Sequence, residues 1–262
     1  MRKTTKGIYI KKPRRIYLDK HISLKNKTIR RFMLYYENRN SYIQGETERL
    51  QRLKGANIPE TGVVLKVLAP GENQDRQSNQ ARYLITHEVD NLPIDFDGII
   101  GDRHHRTVRP TTGRERSIYP KGTIIRESRH VFAISPYDCR VLTERLGVEV
   151  TPELLGVNLV IGRDDGEDYS LTELPMGTRI LIFNELVEPR PVTLVNYTKQ
   201  QGCGNTGNTL AVKYNDKSLT QRFMAASKDN RGIVCCVEQA VENASIRKGQ
   251  KILFKFPKGI TP

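Results

Sequence analysis

Eight short apolar runs separated by turn residues follow one another along the chain from residue 62 onwards. They are rich in Val, Ile, Leu and Phe, and they occupy residues 62–68, 82–86, 130–135, 157–162, 178–183, 191–195, 232–237 and 251–256. Short strands in such number are typical of all-β barrels and sandwiches. We therefore predict a mainly β fold, a distorted barrel into which a few helices are inserted.

Two of the segments between these runs carry helix signals. Ser135 supplies an N-cap, Asp138 lies near the positive end of the helix, and Gly147 supplies the stop. A second helix is predicted over about 216–227. On the first helix Cys139 falls on the apolar face, so it is predicted to be a packed core residue.

The positive charge of the chain is concentrated at its start. The net charge is +14, and residues 1–57 contain 16 Lys or Arg against 4 Asp or Glu, whereas residues 58–262 are nearly balanced. Residues 28–53 have a helix-forming composition. We therefore divide the chain into a basic, helical N-terminal extension, 1–57, and a β domain, 58–262.

The basic extension leaves three functions open. Its cations can neutralise phosphates, which would give binding to nucleic acid or another polyanion, and Tyr35, Tyr36 and Tyr42 are available to stack on bases. It can also dock on an acidic protein, or it can be a solvated extension without a partner.

The length of the apolar runs and the number of cysteines indicate the cellular compartment. No run approaches the roughly 18 apolar residues that a membrane span requires. Four cysteines in 262 residues, without a CxxC pair, indicate reduced thiols rather than a disulfide framework or a zinc site. We expect a cytoplasmic protein that does not associate with a membrane.

Cys203 has unusual neighbours. It lies in KQQGCGNTGN (199–208), between Gly202 and Gly204, where no regular apolar face is expected. Glycines let backbone N–H groups approach an anion closely, and such groups favour the reactive thiolate form. Cys203 is therefore a candidate for a nucleophilic, sulfur-carrying or metal-binding thiol, the alternative being a flexible hairpin that carries a cysteine. Cys235 and Cys236 are successive strand residues and should point to opposite faces.

A second polar segment, residues 96–117, concentrates basic side chains among glycines. Within 15 positions it contains Asp102, Arg103, His104, His105, Arg106, Arg109, Arg114 and Arg116. Arginine binds phosphate oxygens through two parallel hydrogen bonds, and glycine turns bring backbone donors to the same anion. The segment predicts a site for a phosphorylated ligand or cofactor, or else a solvated charged loop.

Taken in their order along the chain, these segments resemble the MOSC domain. This domain is found at the C-terminus of molybdenum-cofactor sulfurases and also as stand-alone bacterial proteins. The resemblance covers residues 60–257. It runs through GIIGDRHH (98–105), P-x-x-L-G-V-N-L-V-I-G (152–162), L-x-x-G-T-R-I (174–180), Cys203 and Arg231-Gly232.

The resemblance implies a distorted β-barrel and a pocket around the characteristic cysteine of the family. Cys203 takes that position, where the residue either carries sulfur as a persulfide or ligates molybdenum when the molybdopterin cofactor is bound. The implied pocket and cofactor residues are Asp102, Arg103, His104, Arg109 and Asn158.

The two family mechanisms require different partners. A sulfur carrier takes its sulfur from a cysteine desulfurase, so the pyridoxal phosphate belongs to the partner, and it serves molybdenum-cofactor or other metal-sulfur chemistry, for instance in a molybdoenzyme. A molybdenum enzyme instead uses Cys203 as a metal ligand and reduces N-hydroxylated compounds with electrons from another protein. Enzymes of that kind usually carry a further N-terminal β-barrel domain that this sequence does not show. Sulfur transfer is therefore the favoured function.

Overall fold

The computed structural model describes residues 59–71, 84–112, 115, 118–163, 165–166, 169–183 and 192–258. The extension 1–57, with its predicted helices, lies outside the described residues, and so do Arg114 and Arg116. Its role in binding polyanions stays a prediction.

The described residues form thirteen strands. In chain order they are β1 (Thr61–Pro70), β2 (Thr86–Glu88), β3 (Asn91–Asp95), β4 (Gly98–Ile99), β5 (Val108–Pro110), β6 (Ile124–Arg126), β7 (Val131–Ile134), β8 (Leu159–Gly162), β9 (Arg179–Phe183), β10 (Val192–Lys199), β11 (Ile233–Gln239), β12 (Ser245–Arg247) and β13 (Lys251–Lys255). Four α-helices and one 3₁₀ turn lie between them. These are α1 (Pro136–Leu146), α2 (Pro152–Leu155), the 3₁₀ turn Leu171–Glu173, α3 (Gly204–Lys213) and α4 (Leu219–Ala226).

Seven of these strands close into a barrel in the order β1-β13-β9-β10-β11-β7-β8 and back to β1. All neighbours are antiparallel except β7 and β8, which are parallel. The barrel strands coincide with seven of the eight apolar runs of the sequence, which confirms the predicted barrel. The eighth run, 82–86, contributes Thr86 to the short strand β2, and its residues 82–83 lie outside the described residues.

The barrel is distorted by irregular strand pairing. The register of β1 against β8 shifts between Val64 and Lys66, and that of β10 against β11 shifts twice. An extra residue on one strand bends it and increases its twist. Two small sheets, β12-β3-β4 and the β5-β6 ribbon, complete the described strands.

The core has two parts because several barrel strands are covered on both faces. One part includes Ile161, Leu194 and Cys235. The other is packed between the strands and the helices, where Phe132 of β7 meets Phe223 of α4 in the same buried cluster. Burying both faces explains why β7 and β8 consist of consecutive apolar residues rather than alternating ones.

Helix α1 begins and ends as predicted. The Ser135 side chain accepts the backbone N–H of Asp138, the Asp138 carboxylate accepts the backbone N–H of Ser135, and Gly147 closes the helix with a φ of 69°. These contacts satisfy backbone groups that have no partner inside the helix. Cys139 is buried, as predicted.

The segment after Cys203 differs from the prediction of an irregular loop. It forms helix α3, and α4 is shorter than the helix predicted at 216–227. A Cβ on Gly207 would lie 2.9 Å from the backbone oxygen of Thr220. The glycine therefore serves the close packing of α3 on α4, which composition alone did not reveal.

Candidate functional site

A polar pocket lies where the 98–105 turn, the end of α2 and the start of α3 meet the barrel. Its cavity has a volume of about 70 Å³. Three arginines make the lining of the pocket basic. The residues with polar or thiol side chains that line it include Asp102, Arg103, His104, Arg129, Asn158, Gln200, Cys203 and Arg231. The structure thus brings together Cys203 and four of the five residues that were predicted to surround it.

Cys203 is the N-cap residue of α3. Its carbonyl accepts the N–H of Gly207 at 3.0 Å, and the residue is half-buried. The N-terminal end of a helix carries a partial positive charge and unpaired N–H groups, which stabilise an anion there. This position therefore favours a thiolate at Cys203.

The other three cysteines lie in less reactive surroundings. Burial, together with the charge of Asp138, raises the pKa of the Cys139 thiol, and burial raises the pKa of Cys235 as well. Cys235 is fully buried and Cys236 half-buried, which confirms that they point to opposite faces. Burial also raises the pKa of Cys236. A high pKa lowers the fraction of thiolate, so these thiols are poor nucleophiles.

The Asp102-Arg103-His104 turn forms one wall of the pocket. One Asp102 oxygen, Oδ1, accepts the backbone N–H of His104 at 2.8 Å and lies 3.2 Å from its ring Nδ1. Burial alone would raise the pKa of Asp102, but these hydrogen bonds and the nearby positive charges hold it below its usual range. Burial lowers the pKa of His104. The pair therefore presents a neutral imidazole, fixed by a carboxylate, in the pocket.

A buried carboxylate, Glu127, organises the arginines behind this wall. Its Oε1 accepts Nε of Arg109 at 3.1 Å and Nε of Arg129 at 3.3 Å, and its Oε2 accepts Nε of Arg106 at 3.2 Å. Burial alone would raise the pKa of Glu127, but the charges of Arg129 and Arg109, together with that of His104 once acid protonates it, hold this pKa at about 2. Glu127 is thus ionised at neutral pH and fixes the Arg129 guanidinium at the pocket.

Arg109 does not lie in the pocket, contrary to its predicted role as a cofactor-binding residue. Its side chain is 4% exposed and also donates to Glu115 at 2.6 Å. Its Nε and Nη2 thus donate to two carboxylates and its Nη1 to the carbonyl of Pro110 at 3.3 Å, and these contacts hold the β5-β6 region together. His105 also points elsewhere, because its Nε2 lies 3.0 Å from Asp95.

Asn158 lines the pocket but has a structural hydrogen bond. Its Oδ1 accepts the backbone N–H of Phe132 at 2.9 Å, which joins the start of β8 to β7. The neighbouring Gly156 has a φ of 74°, and a Cβ there would lie 2.8 Å from the carbonyl oxygen of Leu84. The glycine therefore lets two walls of the pocket approach each other.

Arg129, Gln200 and Arg231 line the pocket but were not predicted to. Arg231-Gly232 did appear among the matched motifs, and this was the one signal in the sequence. Arg231 is 2% exposed and its guanidinium carbon lies 5.3 Å from the ring centroid of Phe132. The backbone N–H of Gln200 donates to the Gly232 carbonyl at 2.9 Å, so Gln200 is joined directly to the Arg231-Gly232 segment.

The pocket combines a thiol, a neutral imidazole and guanidinium groups. Such a set can hold a nucleophilic sulfur beside a bound anion. Within the described ranges no group of three or more His, Cys, Asp or Glu side chains is arranged to hold a metal ion. The thiol, imidazole and guanidinium groups together fit anion and sulfur chemistry.

No helix in the described part of the chain is long and apolar enough to cross a membrane.

The chain was compared with protein families, with curated proteins and with solved structures. No family model matches the chain. YuaD from Bacillus subtilis (strain 168), which is named for metal-sulfur cluster biosynthesis, is 30% identical over 158 residues, which are 59% of this chain and 76% of YuaD.

Two solved structures are also similar. The crystal structure of the Bacillus subtilis YuaD protein superposes with a TM-score of 0.60 at 25% identity, over 74% of this chain and 95% of that one. YiiM from Geobacillus stearothermophilus is 12% identical, with a TM-score of 0.46 over 74% of this chain and 75% of YiiM. From the identity and coverage of YuaD, we conclude that the chain belongs to the YuaD family, a MOSC-like family of β-barrel proteins.

Proposed function

We propose that the protein is a sulfur carrier that holds sulfur as a persulfide on Cys203. The observation that carries this proposal is the position of Cys203, at the N-terminus of α3 and in the same pocket as Arg103, Arg129 and His104. The name of YuaD, which refers to metal-sulfur cluster biosynthesis, supports the same chemistry.

The first step is thiol–disulfide-type exchange with a donor persulfide. The Cys203 thiolate attacks the outer sulfur of the donor, a new S–S bond forms at Cys203, and the donor S–S bond breaks. The donor leaves as a thiolate, so sulfur is transferred without any external oxidant or reductant. A cysteine desulfurase, which holds its own pyridoxal phosphate, is the proposed donor.

The surroundings of Cys203 support both the attack and the product. The positive end of α3 stabilises the thiolate before the attack and the persulfide anion after it. The guanidinium groups of Arg103 and Arg129 offer further positive charge in the pocket. His104, held neutral by burial, can accept the proton of the thiol.

Mass spectrometry of the intact protein tests this proposal. After incubation with a cysteine desulfurase and cysteine, the wild type should gain the mass of one sulfur atom, and a reductant should remove it. Cys203→Ser should gain none. Cys236→Ser is the matched control, because Cys236 is also half-buried, and it should load like the wild type. Equal loading of the wild type and Cys203→Ser would refute the proposal.

The same thiol supports a second proposal, a molybdenum-cofactor enzyme. Among the described lining residues Cys203 is the one thiol, and Arg103 and Arg129 would hold the phosphate of the pterin. When bound, the cofactor would supply redox chemistry. Elemental analysis separates the two proposals, because this one alone requires stoichiometric molybdenum in protein purified from cofactor-producing cells.

A further inference from the structure

We propose that Arg231 is the positioning residue for Cys203, because it binds the chain on both sides of the cysteine. This inference rests on the proposed function and adds to it a residue that acts by holding the chain around Cys203. Arg231 is separated from Cys203 by 28 positions in the sequence, yet both residues line the same pocket.

The hydrogen bonds of the Arg231 guanidinium support this positioning role. One nitrogen, Nη1, donates to the carbonyl of Gln201, two residues before Cys203. The other, Nη2, donates to the hydroxyl of Thr206 at 2.6 Å, three residues after Cys203. The planar fork therefore holds the chain before and after the thiol in one fixed geometry, whereas the three donors of an ammonium group rotate at the end of a flexible stem.

Arg231 is itself held rigidly. Its guanidinium carbon lies 5.3 Å from the ring centroid of Phe132 and 5.2 Å from that of Phe223, so the group is packed between two aromatic rings. Nη2 also lies 3.4 Å from the carbonyl of Leu155, at the end of α2. A buried group fixed to a strand and two helices can transmit that fixed position to the cysteine turn.

The following glycine fixes the backbone of Arg231. The N–H of Gly232 donates to the hydroxyl of Thr172 at 2.6 Å, and its φ of 71° is in the left-handed region. A Cβ at this position would lie 2.2 Å from the carbonyl oxygen of Ala133. Gly232 therefore allows the chain to turn closely against β7, so that the preceding arginine is directed into the pocket.

A positioning role predicts a specific kinetic signature. Arg231 is 2% exposed, so it cannot contact a protein partner directly. In an assay in which a reductant frees Cys203 after each transfer, so that the carrier turns over, loss of Arg231 should leave the KM of transfer between desulfurase and carrier within about twofold. It should lower kcat by about tenfold or more, since small misplacements of reacting groups have effects of this size. A purely structural residue would instead lower the melting temperature and leave the kcat of the folded protein unchanged.

Four variants separate these outcomes. Arg231→Met should show the loss in kcat, and Arg231→Lys, which keeps the charge but not the fork, should restore kcat in part. Thr206→Val removes one acceptor of the fork and should slow transfer severalfold. Arg140→Met is the matched control, because Arg140 also lies over an aromatic ring, that of Tyr137, but is exposed. It should behave as the wild type does.

The inference fails if folded Arg231→Met has the kcat of the wild type. If that variant does not fold, Thr206→Val decides, and a wild-type kcat there overturns the inference. If the wild type takes up no sulfur at all, the proposed function is wrong, and the positioning role is then tested by the rate of Cys203 alkylation with iodoacetamide. The same ranking of variants is expected in that assay, and equal rates would overturn the inference.

Discussion

Oδ1 of Asp102 lies 3.2 Å from Nδ1 of His104 and holds the imidazole in the pocket that contains Cys203. The carboxylate fixes Nδ1 as the protonated nitrogen, since an ionised carboxylate can only accept. Nε2 of His104 is thereby left unprotonated, as the proposed role of this ring in accepting the thiol proton requires.

Asp102→Asn should therefore slow sulfur transfer to Cys203 by about tenfold or more, because an amide can fix the ring less strongly and in either tautomer. The measurement is the rate at which a desulfurase loads Cys203. Asp95→Asn is the matched control, since Asp95 pairs with His105 at 3.0 Å outside the pocket. If both variants load at the same rate, the assignment of His104 as proton acceptor is wrong.

The buried Glu127 should be important for stability. Its side chain is fully buried and accepts hydrogen bonds from three arginines. Glu127→Gln should lower the free energy of unfolding by about 3 kcal/mol at pH 7, because three arginines lose the buried charge that they share and the buried Arg109 keeps only Glu115. Urea denaturation at pH 7 measures this effect.

The control for Glu127 is Glu238→Gln. Glu238 pairs with Arg179 at the surface, where the side chains are 39% and 57% exposed. Ion pairs exposed to solvent contribute little to stability, so this variant should be nearly neutral. The pKa of Glu127 is about 2, below the usual 4.5 of a glutamate. Its contribution is therefore complete above pH 4.5 and is lost towards pH 2, and the difference between wild type and Glu127→Gln should shrink over that interval.

His130 should make the protein less stable in mild acid. Nδ1 of its buried ring accepts the N–H of Val237 at 3.1 Å, so Nε2 carries the proton that is donated to the carbonyl of Arg106. Burial lowers the pKa of this neutral ring below the usual 6.5. The unfolded chain therefore binds more protons below pH 6.5, and the free energy of unfolding should fall as the pH is lowered from 7 to 5.

Replacing the ring tests this pH dependence. His130→Asn removes the titrating group, so the free energy of unfolding should fall less steeply between pH 7 and pH 5, although the variant is less stable at pH 7. His87→Asn changes an exposed residue and should keep the wild-type slope. A wild-type slope in His130→Asn would contradict the assignment.

Two glycines of α3 should respond oppositely to the same substitution. A Cβ on Gly207 would lie 2.9 Å from the backbone oxygen of Thr220, whereas a Cβ on Gly204 would meet no atom within 4 Å. Gly207→Ala should therefore destabilise the protein by about 1–3 kcal/mol, and Gly204→Ala should stabilise it by up to about 1 kcal/mol. Thermal unfolding of the two variants gives the comparison, and equal melting temperatures would contradict the described packing of α3 on α4.

The barrel could be predicted from the sequence because its strands are continuous apolar runs with turn residues between them. The boundaries of α1 were predictable as well, since Ser135 and Gly147 act locally. Helix α3 was not predictable, because its two glycines disfavour a helix and the helix is stabilised by packing on α4. Short strands such as β4 and β12 depend on their partners and leave little pattern in the sequence.

The site was only partly predictable for the same reason. Asp102 and His104 lie two positions apart, so their hydrogen bond is local, and a motif reveals it. The position of Arg109 outside the pocket could not be foreseen, because its partner Glu127 lies 18 positions away and a count of basic residues cannot show which of them are paired. Arg231 was missed because its partners Leu155 and Thr206 come together only in the folded chain.

Cys203 is the proposed reactive thiol, open to small molecules and lying in the same pocket as Arg103 and Arg129. Brief treatment of the native protein with limiting iodoacetamide at neutral pH, followed by peptide mass spectrometry, measures how fast each of the four cysteines is modified. We predict that Cys203 reacts first and that Cys139 and Cys235 react only after denaturation. Modification of Cys203 no faster than that of buried Cys235 would contradict the claim.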